Sequence, residues 1–194
     1  VFGISMGPPF FETFLEDVIA MGADDAVLLS DRAFAGADTY PTSMVLAAGI
    51  EKLGDVDLVL CGEESSDSST GQVPPGIAEW LDVPQVTYAN EIVVKGDSLE
   101  ATRSITGGEE TVRVPLPALA SVEYGVNDPR FPDFKAKRRA EAEWDATVWD
   151  HEDLDLEESV LGLEGSYTEV VRLEAVEAPD RLGERIDGDT ETQG

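Results

Sequence analysis

The first thirty residues, VFGISMGPPFFETFLEDVIAMGADDAVLLS (Val1–Ser30), predict a strand–helix–strand unit. Val1–Ser5 and Ala26–Ser30 are short continuous apolar runs, which is the pattern of strands that are covered on both faces. Between them, apolar residues recur at helical spacing over 11–19, after two prolines suited to a first helical turn and before Gly22, suited to a helix end. Strands joined in this way are typical of a parallel sheet.

The same alternation continues through the next fifty residues. A periodic stretch from Thr42 to Leu53, with Thr42 or Ser43 as its N-cap, precedes a buried strand at Asp57–Leu60. A further helix follows and ends before Pro84. Strands and helices in strict alternation predict an α/β fold in three layers, with helices on both faces of a parallel sheet.

The pattern changes after Pro84. Short β-rich segments broken by KGD and TGGEE predict an antiparallel hairpin or meander. We expect the apolar runs at 57–60 and 118–122 to be strands of the main sheet, with the meander inserted between them or capping one edge. The chain then divides into an α/β domain at 1–150, an extended C-terminal arm at 151–177, and an acidic disordered tail at 178–194.

Acidic residues outnumber basic ones by 41 to 13, which gives a formal net charge of −28 over 194 residues. A surface of this sign repels a phosphate backbone, so we expect no nucleic-acid partner. The excess is spread along the chain, which favours adaptation to high salt over the alternative, an acidic surface that binds a partner. With a single cysteine, Cys61, and no apolar run of transmembrane length, we predict a cytoplasmic protein without membrane insertion.

Three loops follow predicted strands at the sheet edge where parallel α/β proteins bind ligands. They read SMGPP (5–9), DRAFAGADTYPTS (31–43) and CGEESSDSSTGQ (61–72). Each precedes a helix N-terminus, whose N–H groups and dipole attract anions. A phosphate-bearing ligand is one interpretation. A solvated acidic loop is the other, because Glu63, Glu64 and Asp67 repel phosphate if they face it.

Catalytic and metal sites have little support in the sequence. The loops carry neither a Walker-type lysine nor a GxGxxG pattern, and the chain has no metal-ligand spacing and no nucleophile elbow. The lone histidine, His151, lies in the acidic C-terminal part and is predicted to be a surface residue. A binding or carrier subunit is therefore favoured over a catalyst.

Four motifs in one order resemble the beta subunits of electron transfer flavoproteins. They are SMGPP with MGADDAVLLSD, the loop CGEESSDSSTGQ with PQVT, the hairpin GGEETVRVPLPA, and NDPRFP with KAKRR. The resemblance implies a Rossmann-like fold of the adenine-nucleotide alpha-hydrolase kind, in which residues 1–150 bind a nucleotide and the arm at 151–177 reaches over an alpha subunit. It also implies that the family's first strand and helix are absent from this chain, an N-terminal truncation.

The segment LLSDRAFAGADTYPTS (28–43) is similar to the subclass that holds a second flavin in the beta subunit, sometimes with electron bifurcation. In the other subclass the beta subunit holds AMP. The implied cofactor is therefore FAD, or AMP at the beta-subunit site, with no catalytic residue or metal ligand from this chain. The family's Lys-Gln is replaced here by Glu63-Glu64, which removes a positive charge beside the expected phosphate. The implied cofactor-binding residues are Met6, Gly7, Thr39, Thr42, Gly62, Glu63, Glu64, Ser65, Ser66, Asp67, Ser68, Ser69, Thr70, Gln72 and Val73.

The resemblance implies an electron carrier, and the acidic composition predicts a halophilic, haloarchaeal-like one. It would form a heterodimer with an alpha subunit and pass electrons from dehydrogenases, such as the acyl-CoA dehydrogenases of fatty acid beta-oxidation, via FAD towards a membrane quinone reductase. A bifurcating member would also reduce its flavin with NADH. Two alternatives stay open: a stand-alone nucleotide-binding module of the universal-stress kind, and an enzyme that activates its substrate with ATP. The meander disfavours the first, and the shortage of basic residues in the loops disfavours the second.

Overall fold

The computed structural model describes residues 1–66, 68–172 and 174. Asp67 and the predicted tail at 178–194 lie outside this range. The strands and helices have the following bounds: β1 Phe2–Met6, α1 Glu12–Ala20, β2 Asp25–Leu29, α2 Thr39–Leu53, β3 Leu58–Gly62, α3 Val73–Trp80, β4 Gln85–Lys95, β5 Ser98–Ile105, β6 Gly108–Pro115, β7 Ala118–Val122, α4 Phe134–Glu143 and β8 Thr147–Trp149. Short 3-10 turns occur at Pro9–Phe11, Arg32–Phe34 and Glu158–Val160.

The predicted strand–helix–strand unit at the start of the chain is confirmed. β1 and β2 pair in parallel with Ile4 opposite Val27, and β8 pairs in parallel with the other edge of β2, with Trp149 opposite Leu29. These three strands form one sheet in the order β1-β2-β8.

Side chains of β2 alternate between two helix layers, as successive residues of a strand must. Ala26 and Leu28 are fully buried on the face covered by α1 and by Trp144. Val27 and Leu29 are buried on the opposite face, against Val45 of α2. Helices on both faces explain why β2 is apolar throughout, and the predicted three-layer α/β arrangement is confirmed.

A second sheet has the order β3-β7-β4-β5-β6. β7 pairs in parallel with both β3 and β4, whereas β4, β5 and β6 form an antiparallel meander. The predicted meander therefore lies between two main strands in the sequence and at one edge of the sheet in space. Its turns fall at Lys95–Ser98 and Ile105–Gly108, where glycines with positive φ reverse the chain.

In the described residues, β1 and β3 are not paired with each other, so no strand pairing connects the two sheets. Helix α2 connects them instead, because it packs against both. Val45 packs in the core cluster of the first sheet, and Ala47 packs in that of the second. Ile4 of β1 contacts both clusters. Gly49 permits this approach, because a Cβ there would lie 2.8 Å from the Cδ1 atom of Ile4.

The start of α2 differs from the prediction. Its N-cap is Asp38, whose carboxylate accepts the Tyr40 N–H at 2.9 Å, rather than Thr42 or Ser43. Pro41 is tolerated in the first turn because its missing N–H has no partner there in any helix. The helix therefore begins three residues earlier, and Thr42 and Ser43 lie inside it.

The segment after β8 packs on the domain. Leu154 and Leu161 are buried in the same core cluster as Val27 and Leu29. The proposed contact of the 151–177 arm with an alpha subunit stays a prediction. In the described part of the chain, no helix is both long enough and apolar enough to cross a membrane.

Candidate functional site

The second and third predicted loops meet at one hydrogen bond. The Thr39 hydroxyl donates to the side-chain oxygen of Gln72 at 2.9 Å. Thr39 opens α2, and Gln72 is the N-cap residue of α3. Ser43, one turn into α2, also packs against α3: a Cβ built on Gly76 would lie 2.6 Å from its hydroxyl oxygen, which accepts the Trp80 indole N–H at 3.2 Å.

Asp38 occupies the N-terminus of α2. One of its carboxylate oxygens accepts the Tyr40 N–H, and the other accepts the backbone N–H and the hydroxyl of Thr168, both at 2.9 Å. Burial acts to raise the pKa of Asp38, but the hydrogen bonds from Tyr40 and Thr168 outweigh it and hold that pKa below its ordinary value. The Tyr40 N–H is thus not available to an anion, and Pro41 has no N–H, so the first turn of α2 offers the Thr39 N–H and the hydroxyls of Thr39 and Thr42.

The N-terminus of α3 is also poor in backbone donors. Pro74 and Pro75 occupy its first turn and have no N–H, and the Gln72 N–H donates to the Thr70 hydroxyl at 3.3 Å. Val73 is the first-turn residue that keeps an N–H. The prediction of free helix N–H groups is therefore only partly met, and a ligand here must bind mainly to the loop before α3.

That loop presents hydroxyl groups at the surface. Ser65 anchors a turn, since its carbonyl accepts both the N–H and the hydroxyl of Ser69, at 2.9 and 3.2 Å. The Ser65 and Ser68 hydroxyls are 3.1 Å apart. Ser66 and Thr70 are exposed, and a Cβ built on Gly62 would meet no atom within 4 Å. The loop therefore combines exposed neutral donors with open space at its start.

The two glutamates of this loop differ in their surroundings. The Glu63 carboxylate accepts the Tyr124 N–H at 3.4 Å, so it is engaged by the segment that follows β7. Glu64 is exposed. Cys61, just before them, is a half-buried thiol whose pKa is raised to about 11 by burial, and it therefore stays protonated at neutral pH.

The first predicted loop packs against the protein's own core. The Gly7 N–H donates to the Leu29 carbonyl at 3.0 Å, and a Cβ on Gly7 would lie 2.4 Å from the Phe11 ring. Met6 packs against the core cluster around Leu29. No hydrogen bond found in residues 1–66 and 68–172 joins Met6 or Gly7 to the other two loops.

The prediction that His151 is a surface residue without a partner was wrong. Its ring Nδ1 lies 2.5 Å from the Asp31 carboxylate, and both side chains are about four-fifths buried, with 21% and 18% exposure. Asp150 lies in the same cluster. Leu29 of β2 is opposite Trp149 of β8, and Asp31 and His151 each lie two residues further along the chain. Once β2 and β8 are known to pair in parallel, this equal spacing predicts that the two side chains meet.

Asp31 is held in its charged form. Burial would raise its pKa, but the hydrogen bonds from the Ala33 N–H and from His151 lower it to about 2. The Asp31 hydrogen bond in turn raises the pKa of His151. The pair fastens the loop after β2 to the segment after β8.

Sequence reasoning also missed an aromatic group beside Thr39. Tyr40 packs edge-on against Trp80, with ring centroids 5.3 Å apart, and against Tyr167, with centroids 4.8 Å apart. Tyr167 is carried to α2 by its neighbours, because the Ser166 hydroxyl accepts the Asp38 N–H at 2.8 Å. The C-terminal segment thus borders the site.

The architecture is that of a Rossmann-like α/β protein with an added meander. Residues 1–152 match the family described as "Electron transfer flavoprotein domain". The chain belongs to this electron transfer flavoprotein family, among its beta subunits.

The chain is similar in sequence to proteins that carry three different names. It is 43% identical over 187 residues to "Electron transfer flavoprotein subunit beta" of Thermoanaerobacterium thermosaccharolyticum, an alignment that covers 95% of this chain and 70% of that protein. It is 43% identical over 169 residues to "Caffeyl-CoA reductase-Etf complex subunit CarD" of Acetobacterium woodii, covering 87% and 64%. It is 37% identical over 191 residues to "Protein FixA" of Azotobacter vinelandii, covering 95% and 68%.

Proposed function

We propose that this chain is the beta subunit of a two-subunit electron carrier. In this proposal it pairs with an alpha subunit and holds the nucleotide part of FAD or AMP between the segments 39–42 and 62–73. Family membership supports the role, and the geometry of the two segments supports the place.

The observation that carries the proposal is the hydrogen bond from the Thr39 hydroxyl to Gln72. It joins two segments that lie 33 residues apart in the sequence and that the motif resemblance assigns to one cofactor. The bond is exposed, so a ligand that offers hydroxyl or phosphate oxygens can bind both side chains where they already meet.

The donor set fits a nucleotide. The hydroxyls of Thr39, Thr42, Ser66 and Thr70 are neutral groups that can donate to phosphate oxygens and exchange hydrogen bonds with ribose. The Glu63 carboxylate is engaged by the Tyr124 N–H, which lessens its repulsion of a phosphate. A bound flavin supplies the electron transfer itself, and the residues of this chain bind and orient it.

Segment 28–43 favours FAD at this site, as in the second-flavin subclass, some members of which bifurcate electrons. We further propose that dehydrogenases deliver the electrons and that a membrane quinone reductase accepts them. The acidic composition supports a protein that works in a high-salt cytoplasm, because mobile ions screen repulsion between its 41 carboxylates.

The test compares cofactor retention in two threonine variants. The full chain is purified in high salt together with any protein that accompanies it, and FAD and AMP are released by heat and measured. Thr39→Val should weaken retention by about twofold to tenfold, because one net hydrogen bond is worth roughly 0.5–1.5 kcal/mol.

Thr102→Val is the matched control. It also removes an exposed hydroxyl that pairs with a second one, on Thr111 at 3.3 Å, but it lies in the meander. It should retain the cofactor like the unaltered protein. Equal retention in Thr39→Val and the unaltered protein, or equal loss in both variants, would contradict the proposed site.

A further inference from the structure

Tyr88 has an unusual backbone. It lies in β4 with a φ of 58°, in the left-handed region, where a bulky aromatic residue is a genuine outlier. Val86 is opposite Ala120 of β7, whereas Ala89 is opposite Val122, so β4 carries one more residue than β7 over this stretch. Tyr88 is therefore part of a β-bulge, and bulges re-aim side chains next to functional sites.

Buried neighbours hold this bulge. The Tyr88 N–H donates to the Ser121 hydroxyl at 3.1 Å, and Ser121 is 1% exposed. Ala89 is fully buried, and its carbonyl accepts the Glu123 N–H at 2.9 Å. The strained conformation is thus fixed from the sheet side, as such conformations must be in order to persist.

The bulge brings the Tyr88 side chain to the end of the candidate nucleotide loop. A Cβ built on Gly71 would lie 2.2 Å from the Tyr88 hydroxyl oxygen and 3.3 Å from the ring carbon that bears it. The Glu63 carbonyl is 3.6 Å from the same point, so the start and the end of the loop meet there. Gly71 precedes Gln72, the partner of Thr39.

We propose that Tyr88 is a positioning residue for the nucleotide. Its hydroxyl lies against Gly71 and holds the loop 62–72 in the shape that binds the cofactor. This inference rests on the proposed function. It explains why strain is kept at an exposed aromatic residue: the residue serves the loop rather than the stability of the sheet.

The first test separates stability from binding. In the full chain, Tyr88→Asn keeps a residue that tolerates the left-handed region and removes the contact with Gly71. Its melting temperature should equal or exceed that of the unaltered protein. Titration should show affinities for FAD and for AMP that are lower by about tenfold. We expect the freed loop to adopt the binding conformation about a tenth of the time, and the apparent affinity falls in proportion to that fraction.

The second test uses three further variants. Gly71→Ala should lose affinity at least as strongly as Tyr88→Asn. Gly96→Ala is its control, since Gly96 has nearly the same φ, 65° against 62°, and no atom within 4 Å of the added Cβ. It should bind normally. Gly71→Ala combined with Tyr88→Phe should recover most of the affinity, because the new Cβ then takes the place of the missing hydroxyl against the ring, 3.3 Å from the carbon that bore it.

The outcomes distinguish this inference from the function on which it rests. Unaltered protein that binds neither FAD nor AMP would overturn both. Binding by the unaltered protein together with normal binding by Tyr88→Asn, or the same affinity in Gly71→Ala with and without Tyr88→Phe, would overturn the role of Tyr88 alone.

Discussion

Replacing Asp31 by Asn should destabilise the protein in a restricted range of pH. The carboxylate accepts the Ala33 N–H at 3.0 Å and the His151 N–H at 3.2 Å, and it forms an ion pair with the His151 ring. Asn keeps the shape of the side chain but loses the charge. The loop after β2 would then be held less firmly to the segment after β8.

The size of the effect follows from the pKa of Asp31. Folding lowers that pKa from 3.8 to about 2. Each pKa unit corresponds to about 1.4 kcal/mol, which sets an upper value of about 2.5 kcal/mol for the charged form. The Asp31 and His151 side chains keep 18% and 21% exposure, so solvent screens part of the interaction, and we expect a loss of about 1 kcal/mol in the free energy of unfolding. For a chain of this size that lowers the melting temperature by about 2–4 °C.

The pH range follows from the two partners. The pKa of Asp31 is lower in the folded state, so its contribution is present above the ordinary value of 3.8 and is lost as the pH falls towards 2. The pKa of His151 is raised above 6.5, so its contribution is complete below 6.5 and is lost as the pH rises past its folded-state value. The difference between the unaltered protein and Asp31→Asn should therefore be largest between about pH 4 and 6.5.

Urea unfolding in high salt across this pH range measures the difference. Asp97→Asn is the control, because Asp97 is exposed in the turn between β4 and β5 and its loss removes the same charge. It should leave the stability unchanged. Two results would refute the linkage argument: an Asp31→Asn variant that is as stable as the unaltered protein at about pH 5, or a loss of stability near pH 2 that is as large as the loss at pH 5.

Two further predictions concern packing and charge. Leu161→Ala should cost about 2–5 kcal/mol, because Leu161 is 1% exposed in the core, whereas Leu163→Ala, at a side chain that is 51% exposed, should cost far less; equal urea midpoints for the two would show that the C-terminal segment is not part of the core. Lowering the salt from about 1 M to 0.01 M lengthens the screening distance from about 3 to 30 Å, so the melting temperature should fall steadily, and full stability at low salt would remove the case for halophilic adaptation.

The fold was largely predictable because its signals are local. Continuous apolar runs identified β1, β2, β3 and β7, and the KGD and TGGEE turns identified the meander. The start of α2 was missed because Thr42 and Ser43 are also good N-cap residues, whereas the structure has Asp38 as the N-cap and Pro41 in the first turn. The division into two sheets could not be predicted, since pairing between strands is set by tertiary packing.

The site was only partly predictable. The sequence predicted that the second and third loops lie at the same edge of the sheet, and Thr39 and Gln72 are in contact; that these loops bind a cofactor stays a prediction. The close approach of the Phe11 ring to Gly7 was not predicted, because a glycine allows close approach of any neighbour, and the role of Gly7 at a ligand stays a prediction. Tyr88 was missed because strand residues alternate in sequence patterns, and only a bulge turns this side chain towards the loop.

The most direct test of the account is the composition of the purified protein. The full chain is isolated from its own cells in high salt, and the accompanying protein, FAD and AMP are measured per chain. We predict an alpha subunit in equal amount, together with two flavins per heterodimer and little AMP. One flavin plus AMP would move the chain to the other subclass. A chain that purifies alone, without flavin and without AMP, would contradict the central claim.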